Sequence, residues 1–252
     1  MKYLLSRDSR PILARLAHEQ TLCAFDFDGT LSPIVEHPAN ARMRDRTRRM
    51  LGQLASRYPC VVISGRARAD VLDKLGEVEV SRVIGNHGAE NEGTRKKSHR
   101  RVRQWKAALE RNLQDFPGMW IEDKGLSLAV HYRQCRGKAA ARRRILKIAR
   151  TLQHVRVFGG KQVVNLVEAS APHKGVVLAA ERNRLACNWV MYVGDDDNDE
   201  EAFALEGNIV PVRIGRKQNS HSRFYLRTQR EIETLLELLC RMRPDEPDEV
   251  RR

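Results

Sequence analysis

The 252-residue sequence predicts an α/β fold, a parallel-sheet core of the Rossmann type interrupted by an inserted αββαββ α+β module, and three observations predict it. Short, nearly continuous apolar runs alternate with amphipathic stretches through the first and last thirds, as strands covered by helices on both faces require. The middle third breaks this alternation with hairpin-like strand pairs. Its charge differs too: residues 92–168 carry 19 Lys and Arg against 6 Asp and Glu, and the rest carries 27 against 26, so nearly all of the formal +14 lies in one segment.

Taken in order, core strands are expected at 22–25, 60–63, 82–85, 189–193 and 208–214, where apolar residues run together. Helices are expected at 44–56, 66–75, 173–184, 199–205 and 230–242. Within the middle segment the reading is helix 98–116, strands 119–122 and 126–132, helix 137–152, then strands 156–158 and 162–167. Lys124-Gly125 makes the first hairpin turn, because glycine supplies the positive φ that tight turns use. The expected division is a discontinuous core, 1–89 and 170–252, with a cap over 90–169. The proline-broken tail after 243 is expected to fray.

Cys23, Cys60, Cys135, Cys187 and Cys240 are odd in number, scattered and without metal-ligand spacing, so they read as buried thiols of a reducing cytoplasm. Arg7, Asp8, Arg10 and Arg15 interrupt the N-terminal apolar residues. The expectation is therefore a soluble cytoplasmic protein with no membrane partner.

Phe25-Asp26-Phe27-Asp28-Gly29-Thr30 follows an apolar strand directly, and chemistry in open parallel sheets gathers beyond the carboxyl ends of strands. Two close carboxylates repel unless a cation or proton separates them, which points to a hard divalent ion. An aspartate can also attack phosphorus. A second acidic cluster, Asp195 to Glu200, again follows an apolar run. Asp195, nearest the strand, is the first candidate metal ligand; Asp196 and Asp199 serve equally well as helix-start acids. Ser64, Gly65 and Arg66 end a third apolar run, where a hydroxyl and backbone N–H groups could grip a phosphoryl oxygen or simply cap a helix. Lys174, ahead of another helix, could neutralise charge on the transferring group.

In that order and spacing these residues resemble the four motifs of the haloacid-dehalogenase-like (HAD) superfamily: Asp26-Phe27-Asp28-Gly29-Thr30, Ser64, Lys174 and Gly194-Asp195-Asp196. The resemblance implies a HAD-like core in which Asp26 becomes a phospho-aspartate and Asp28 serves as acid and then base. It also implies Mg2+ held by Asp26, the Asp28 backbone carbonyl and Asp195, with 31–38 as a mobile flap. More narrowly, Gly85-Asn86-His87-Gly88-Ala89-Glu90, His131-Tyr132-Arg133 and the acidic loop resemble the trehalose-6-phosphate phosphatase family, whose substrate is a small sugar phosphate. The chain departs from that pattern at Gly160-Lys161-Gln162-Val163-Val164-Asn165, where the family has glutamate in the last position. Glu168 could compensate only if a bulge brought it to the same face.

The basic cap is expected to steer an anionic substrate and read its sugar end through His87, Arg133, Lys161 and Asn165. Arg142, Arg143, Arg144 and Lys147 read as a solvated helix face, and 95–103 as a solvated basic loop. A nucleic-acid partner is not expected, because few aromatics of the basic segment fall at exposed positions. Oligomeric state is left open.

Overall fold

Strand-by-strand alternation of buried side chains builds two apolar faces on one sheet, and the computed structural model, which describes residues 1–92 and 99–243, shows both covered. In chain order the elements are β1 (Lys2–Tyr3), α1 (Arg10–His18), β2 (Thr21–Phe25), α2 (Asp45–Ala55), β3 (Cys60–Ile63), α3 (Arg68–Leu75), β4 (Arg82–Ile84), α4 (His99–Leu113), β5 (Trp120–Asp123), β6 (Ser127–His131), α5 (Lys138–Ala149), β7 (Val155–Gly160), β8 (Val163–Glu168), α6 (Lys174–Arg184), β9 (Trp189–Gly194), α7 (Glu200–Phe203), β10 (Ile209–Ile214), β11 (Phe224–Leu226) and α8 (Glu231–Met242).

Seven strands form a parallel sheet in the order β1-β11-β10-β9-β2-β3-β4. Cys23 and Phe25 of β2 join Met191 and Val193 of β9 against Leu13, Leu51, Leu54 and Leu235 from α1, α2 and α8. Their neighbours Leu22, Ala24, Val190 and Tyr192 point the other way, against Leu178 of α6 and Phe203 of α7. Each buried Leu, Val or Phe contributes about 1.5 to 3 kcal/mol, so two covered faces hold the strands rigidly. The five expected core strands are present. Sequence reading missed β1, β11 and α1: the first two span too few residues to show a period, while α1 does bury Leu13, Leu16 and Ala17 at helical spacing.

Between β4 and α6 the chain makes the expected αββαββ module, an antiparallel sheet of order β5-β6-β8-β7. Gly125 takes φ +80 at the first hairpin turn. Leu128, Val130, Val164 and Leu166 pack under Val102, Trp105 and Leu109 of α4 and Ala141, Ile145 and Ile148 of α5, giving the module its own core. The opposite sheet face looks at the parallel sheet's carboxyl end. Of the expected basic loop 95–103, the part from His99 is helical and the rest lies outside the described residues, as does the tail expected to fray. Among the described residues no helix is long and apolar enough to cross a membrane.

Candidate active site

Topology brings the two acidic motifs together. From β2 the chain steps to β3 and β4 on one side and later to β9 and β10 on the other, so β2 and β9 flank the switch point where open sheets bind ligands. Phe25 pairs with Val193, and the Asp26 N–H donates to the Val193 carbonyl at 2.9 Å, so Asp26 and Asp195 leave adjacent strand ends. Gly29 takes φ +79, and a Cβ there would stand 2.0 Å from Asp195 Oδ2. Only glycine lets the first loop lie against the second acid.

Asp26, Asp195 and Asp199 form a buried cluster in which one carboxylate oxygen from each lies within 4.8 Å of the others. Lys174, 1 % exposed, donates to Asp26 Oδ1 and Asp199 Oδ1, both at 2.7 Å. Burial works against the Lys174 charge, but Asp199 and Asp26 outweigh it and raise its pKa. Burial raises the Asp26 carboxyl well above the usual aspartate range, with Lys174 opposing. Asp195 is pushed up to about 7, again by burial first, with Lys161 opposing. Three carboxylates crowded out of water want a cation.

Hydrogen bonding sorts the three. Asp199 Oδ1 takes Lys174 and, at 2.7 Å, the Tyr192 hydroxyl; Oδ2 accepts the backbone N–H groups of Asp195 and Asp196 at 2.9 and 3.0 Å. It is fully engaged in positioning the acidic loop. Asp196 caps the short turn 197–199, its side chain accepting from Asp197 N–H at 2.8 Å. Asp26 Oδ2 and Asp195 Oδ1 have no hydrogen-bond partner among the described residues, so these two oxygens could hold an ion.

The other expected residues are less uniform. Asp28 lines the cavity, but its carboxylate is outside the acidic cluster: Arg66 grips it through two bonds, Nε to Oδ2 at 2.6 Å and an Nη to Oδ1 at 2.7 Å. Arg66 also holds Asp70 at 2.6 Å and the Pro38 carbonyl at 2.8 Å, so this side chain ties the segment after β2 to the start of α3. Gly65 and Arg66 line the cavity, while Ser64 is fully buried and its Oγ accepts from Arg66 N–H at 3.2 Å.

Above the acids lies a cavity of about 1070 Å³, its open mouth included, bounded by the strand ends, residues 34–38 and the cap sheet. All four expected sugar-reading residues line it: His87, Arg133, Lys161 and Asn165. His87 is buried at φ +59, edge-on to Phe158 with centroids 4.7 Å apart, and neither ring nitrogen has a partner, Asn165 lying beside it outside hydrogen-bond geometry. Burial, then Lys124 and Lys174, lowers the His87 pKa and keeps the ring neutral. Lys161 reaches down from the β7–β8 turn to pair with Asp195. Glu168 does not compensate for Asn165, because β8 pairs with β7 without a bulge and Glu168 turns outward to Arg101.

Sequence reasoning missed Trp120, Glu122, Lys124 and His131, which also line the cavity. Trp120 stacks on His131 at 3.9 Å, and His131 Nε2 sits 2.9 Å from Glu122 Oε2. Alternation in Trp120-Ile121-Glu122-Asp123-Lys124 was the available signal: Ile121 faces the cap core and its neighbours the cavity. Lys124 Nζ donates to the Gly65 carbonyl at 3.0 Å, and Ser127 Oγ bonds Asn86 Oδ1, so cap and core meet through a polar joint.

The sheet, the inserted module and the carboxylate pair at the switch point define a HAD-like protein. The trehalose-phosphatase family profile matches residues 24–225. A trehalose-phosphate phosphatase of Mycobacterium tuberculosis is 34% identical over 220 residues, covering 79% of this chain and 55% of that protein, and a trehalose 6-phosphate phosphatase of Zea mays is 28% identical over 79% and 63%. The chain belongs to the trehalose-phosphatase family. It spans a little over half the length of its mycobacterial relatives. Among solved structures, the C-terminal domain of a C. albicans trehalose-6-phosphate phosphatase superposes with TM-score 0.79 at 23% identity, covering 92% of this chain and 96% of that one.

Proposed function

We propose that this chain hydrolyses trehalose 6-phosphate to trehalose and phosphate, with Asp26 as nucleophile. The observation that carries the reading is the buried Asp26–Lys174–Asp199 chain beside Asp195, at the floor of a cavity whose roof is the polar and aromatic face of the cap. Lys174 orients the Asp26 carboxylate through Oδ1, the oxygen that attacks phosphorus, while Oδ2 stays available to the ion. The new Oδ–P bond forms as the bond to the sugar oxygen breaks, and Asp28 gives that oxygen its proton. Water activated by Asp28 then hydrolyses the acyl-phosphate and regenerates Asp26. For this, Asp28 must exchange Arg66 for the reacting groups, and Arg66 so released faces the phosphate.

The donor set fits Mg2+: Asp26 and Asp195 each offer a free oxygen, and the Asp28 backbone carbonyl completes the protein ligands. When bound, the ion would offset charge on the transferring phosphoryl group. Residues 90–169 act as the specificity cap on a core of 1–89 and 170–252. His87, with its orphaned nitrogens, Arg133, Lys161 and Asn165 read the substrate, joined by Trp120, Glu122, Lys124 and His131, while Ser64 shapes the turn that carries Gly65 and Arg66. Nothing in this reading calls on nucleic acid or a membrane, and the working place is the cytoplasm.

Asn165 favours a second reading, the same chemistry on a different sugar phosphate. A phosphomonoester panel with Mg2+ tests both. Trehalose 6-phosphate is expected to exceed glucose 6-phosphate in kcat/KM by about 100-fold or more, as a site built around sugar hydroxyls discriminates; equal values would select the second reading. Asp26→Asn is expected to abolish turnover with an unchanged circular dichroism spectrum, and wild-type activity would remove Asp26 from its role.

A further inference from the structure

Among the described residues, Lys161 is the one cap residue that pairs with the acidic floor through its charge. It sits at the tip of the β7–β8 hairpin, and three features hold that tip in place. Gln162 takes φ +64, which turns the strand back sharply. A Cβ on Gly160 would stand 2.9 Å from Asp196 Oδ2, so the hairpin lies directly against the acidic loop. Arg133 donates to the Lys161 carbonyl at 3.4 Å and to the Val35 carbonyl at 3.2 Å, joining the tip to the segment that borders the cavity. From there the ammonium pairs with Asp195 Oδ2, a carboxylate 4 % exposed, while the lysine side chain itself remains 49 % exposed.

The charges make this contact conditional. Asp26, Asp195 and Asp199 carry three formal negative charges, and Lys174 offsets one. A divalent ion would neutralise the remainder; Lys161 neutralises half of it. Were an ion to take the free oxygen of Asp195, it would face the Lys161 ammonium across the width of one carboxyl group, and like charges that close in a poorly solvated site repel strongly. The half-exposed, flexible lysine is the partner able to leave.

We propose that Lys161 is a tethered counter-ion, holding the cap hairpin on Asp195 while the metal site is empty and giving way when the ion binds. Metal loading thereby frees the Lys161 ammonium for the cavity, where an incoming phosphate or sugar hydroxyl takes its place as partner. The device couples occupancy of the floor to release of the roof. It rests on the metal reading above, and its test separates the two.

The 252-residue chain stripped of metal is titrated with Mg2+ and with Mn2+ by calorimetry, as wild type, Lys161→Met and Lys161→Arg. Lys161→Met is expected to bind both ions about five- to tenfold more tightly, the gain from removing one partly exposed opposing charge, and Lys161→Arg to stay within twofold of wild type. Hydrogen exchange supplies a readout independent of affinity: amides of 158–163 should exchange faster in wild type when Mg2+ is added, and show no such response in Lys161→Met. Equal affinities for wild type and Lys161→Met, or a hairpin whose exchange ignores the ion, would overturn the counter-ion role and leave the metal site standing. A wild-type protein that binds neither ion would overturn both.

Discussion

The two faces of the cap sheet divide its chemistry unequally. The face toward the core carries few charges, each with a partner: Glu122 with His131 and Lys124, Lys124 with the Gly65 carbonyl, Lys161 with Asp195. On the other face α4 and α5 carry Arg103, Arg142, Arg143 and Lys147, exposed and without an ion pair among the described residues. Net charge therefore marks the segment but not the site within it, since the excess lies on the solvated helix face expected for Arg142, Arg143 and Lys147. A chain's charge excess can lie a full sheet thickness from its site, beyond which salt screens most of its effect.

The largest expected effect is on the inner face. Glu122→Ala should lower kcat/KM for trehalose 6-phosphate by about 100-fold and Trp120→Ala by about tenfold, as loss of a charged hydrogen-bond partner and of an aromatic platform cost. Hydrolysis of a small phosphomonoester lacking the second sugar should change by less than about threefold. Parallel losses on both substrates in steady-state kinetics would break the distinction between roof and floor.

An intermediate effect follows pH. Because burial raises Asp195 to about 7 in the metal-free protein, ion binding must expel its proton below that point. Mg2+ affinity is expected to fall about tenfold per pH unit below 7 and to level off above it, read by calorimetry at pH 5.5 to 8.5. The sign for stability is the reverse of an ordinary paired carboxylate. A raised folded-state pKa contributes stability that is full below about pH 4 and is lost as pH rises through 7, so the melting-temperature gain on adding Mg2+ should grow over that window. A gain independent of pH would mean that Asp195 is already ionised before the ion arrives.

The smallest effect belongs to the outer face. Arg142→Glu, Arg143→Glu and Lys147→Glu combined should leave kcat/KM within about twofold at physiological salt and stability within about 0.5 kcal/mol per site, as exposed substitutions usually do. A tenfold loss would show that the outer charge guides substrate after all.

The elements that sequence revealed best were those buried on both faces, such as β2 and β9, since continuous hydrophobicity there has one cause. Asp26, Lys174 and Asp195 were legible because each follows or precedes a regular element whose end can be located. What stayed hidden was pairwise. Nothing near Asp28 announces that Arg66 will grip it, and the hydroxyl of Ser64 turns to its own backbone neighbour instead of the cavity. Asp199 offered two readings in sequence, and its four hydrogen bonds decide for positioning. Of the resembling tripeptide at 131–133, only Arg133 was assigned to the site, although His131 lines the same cavity and Tyr132 packs into the cap core.

The cap folds around apolar side chains of its own, Trp105, Leu109, Ile145 and Leu166 among them, and meets the core mainly through a polar seam of Asn86, Lys124 and Ser127. A roof that owes its solidity to itself can be relined without disturbing the floor. On the proposed reading, substrate preference is then free to drift, one inward-facing side chain at a time, while the acidic floor beneath stays as it was.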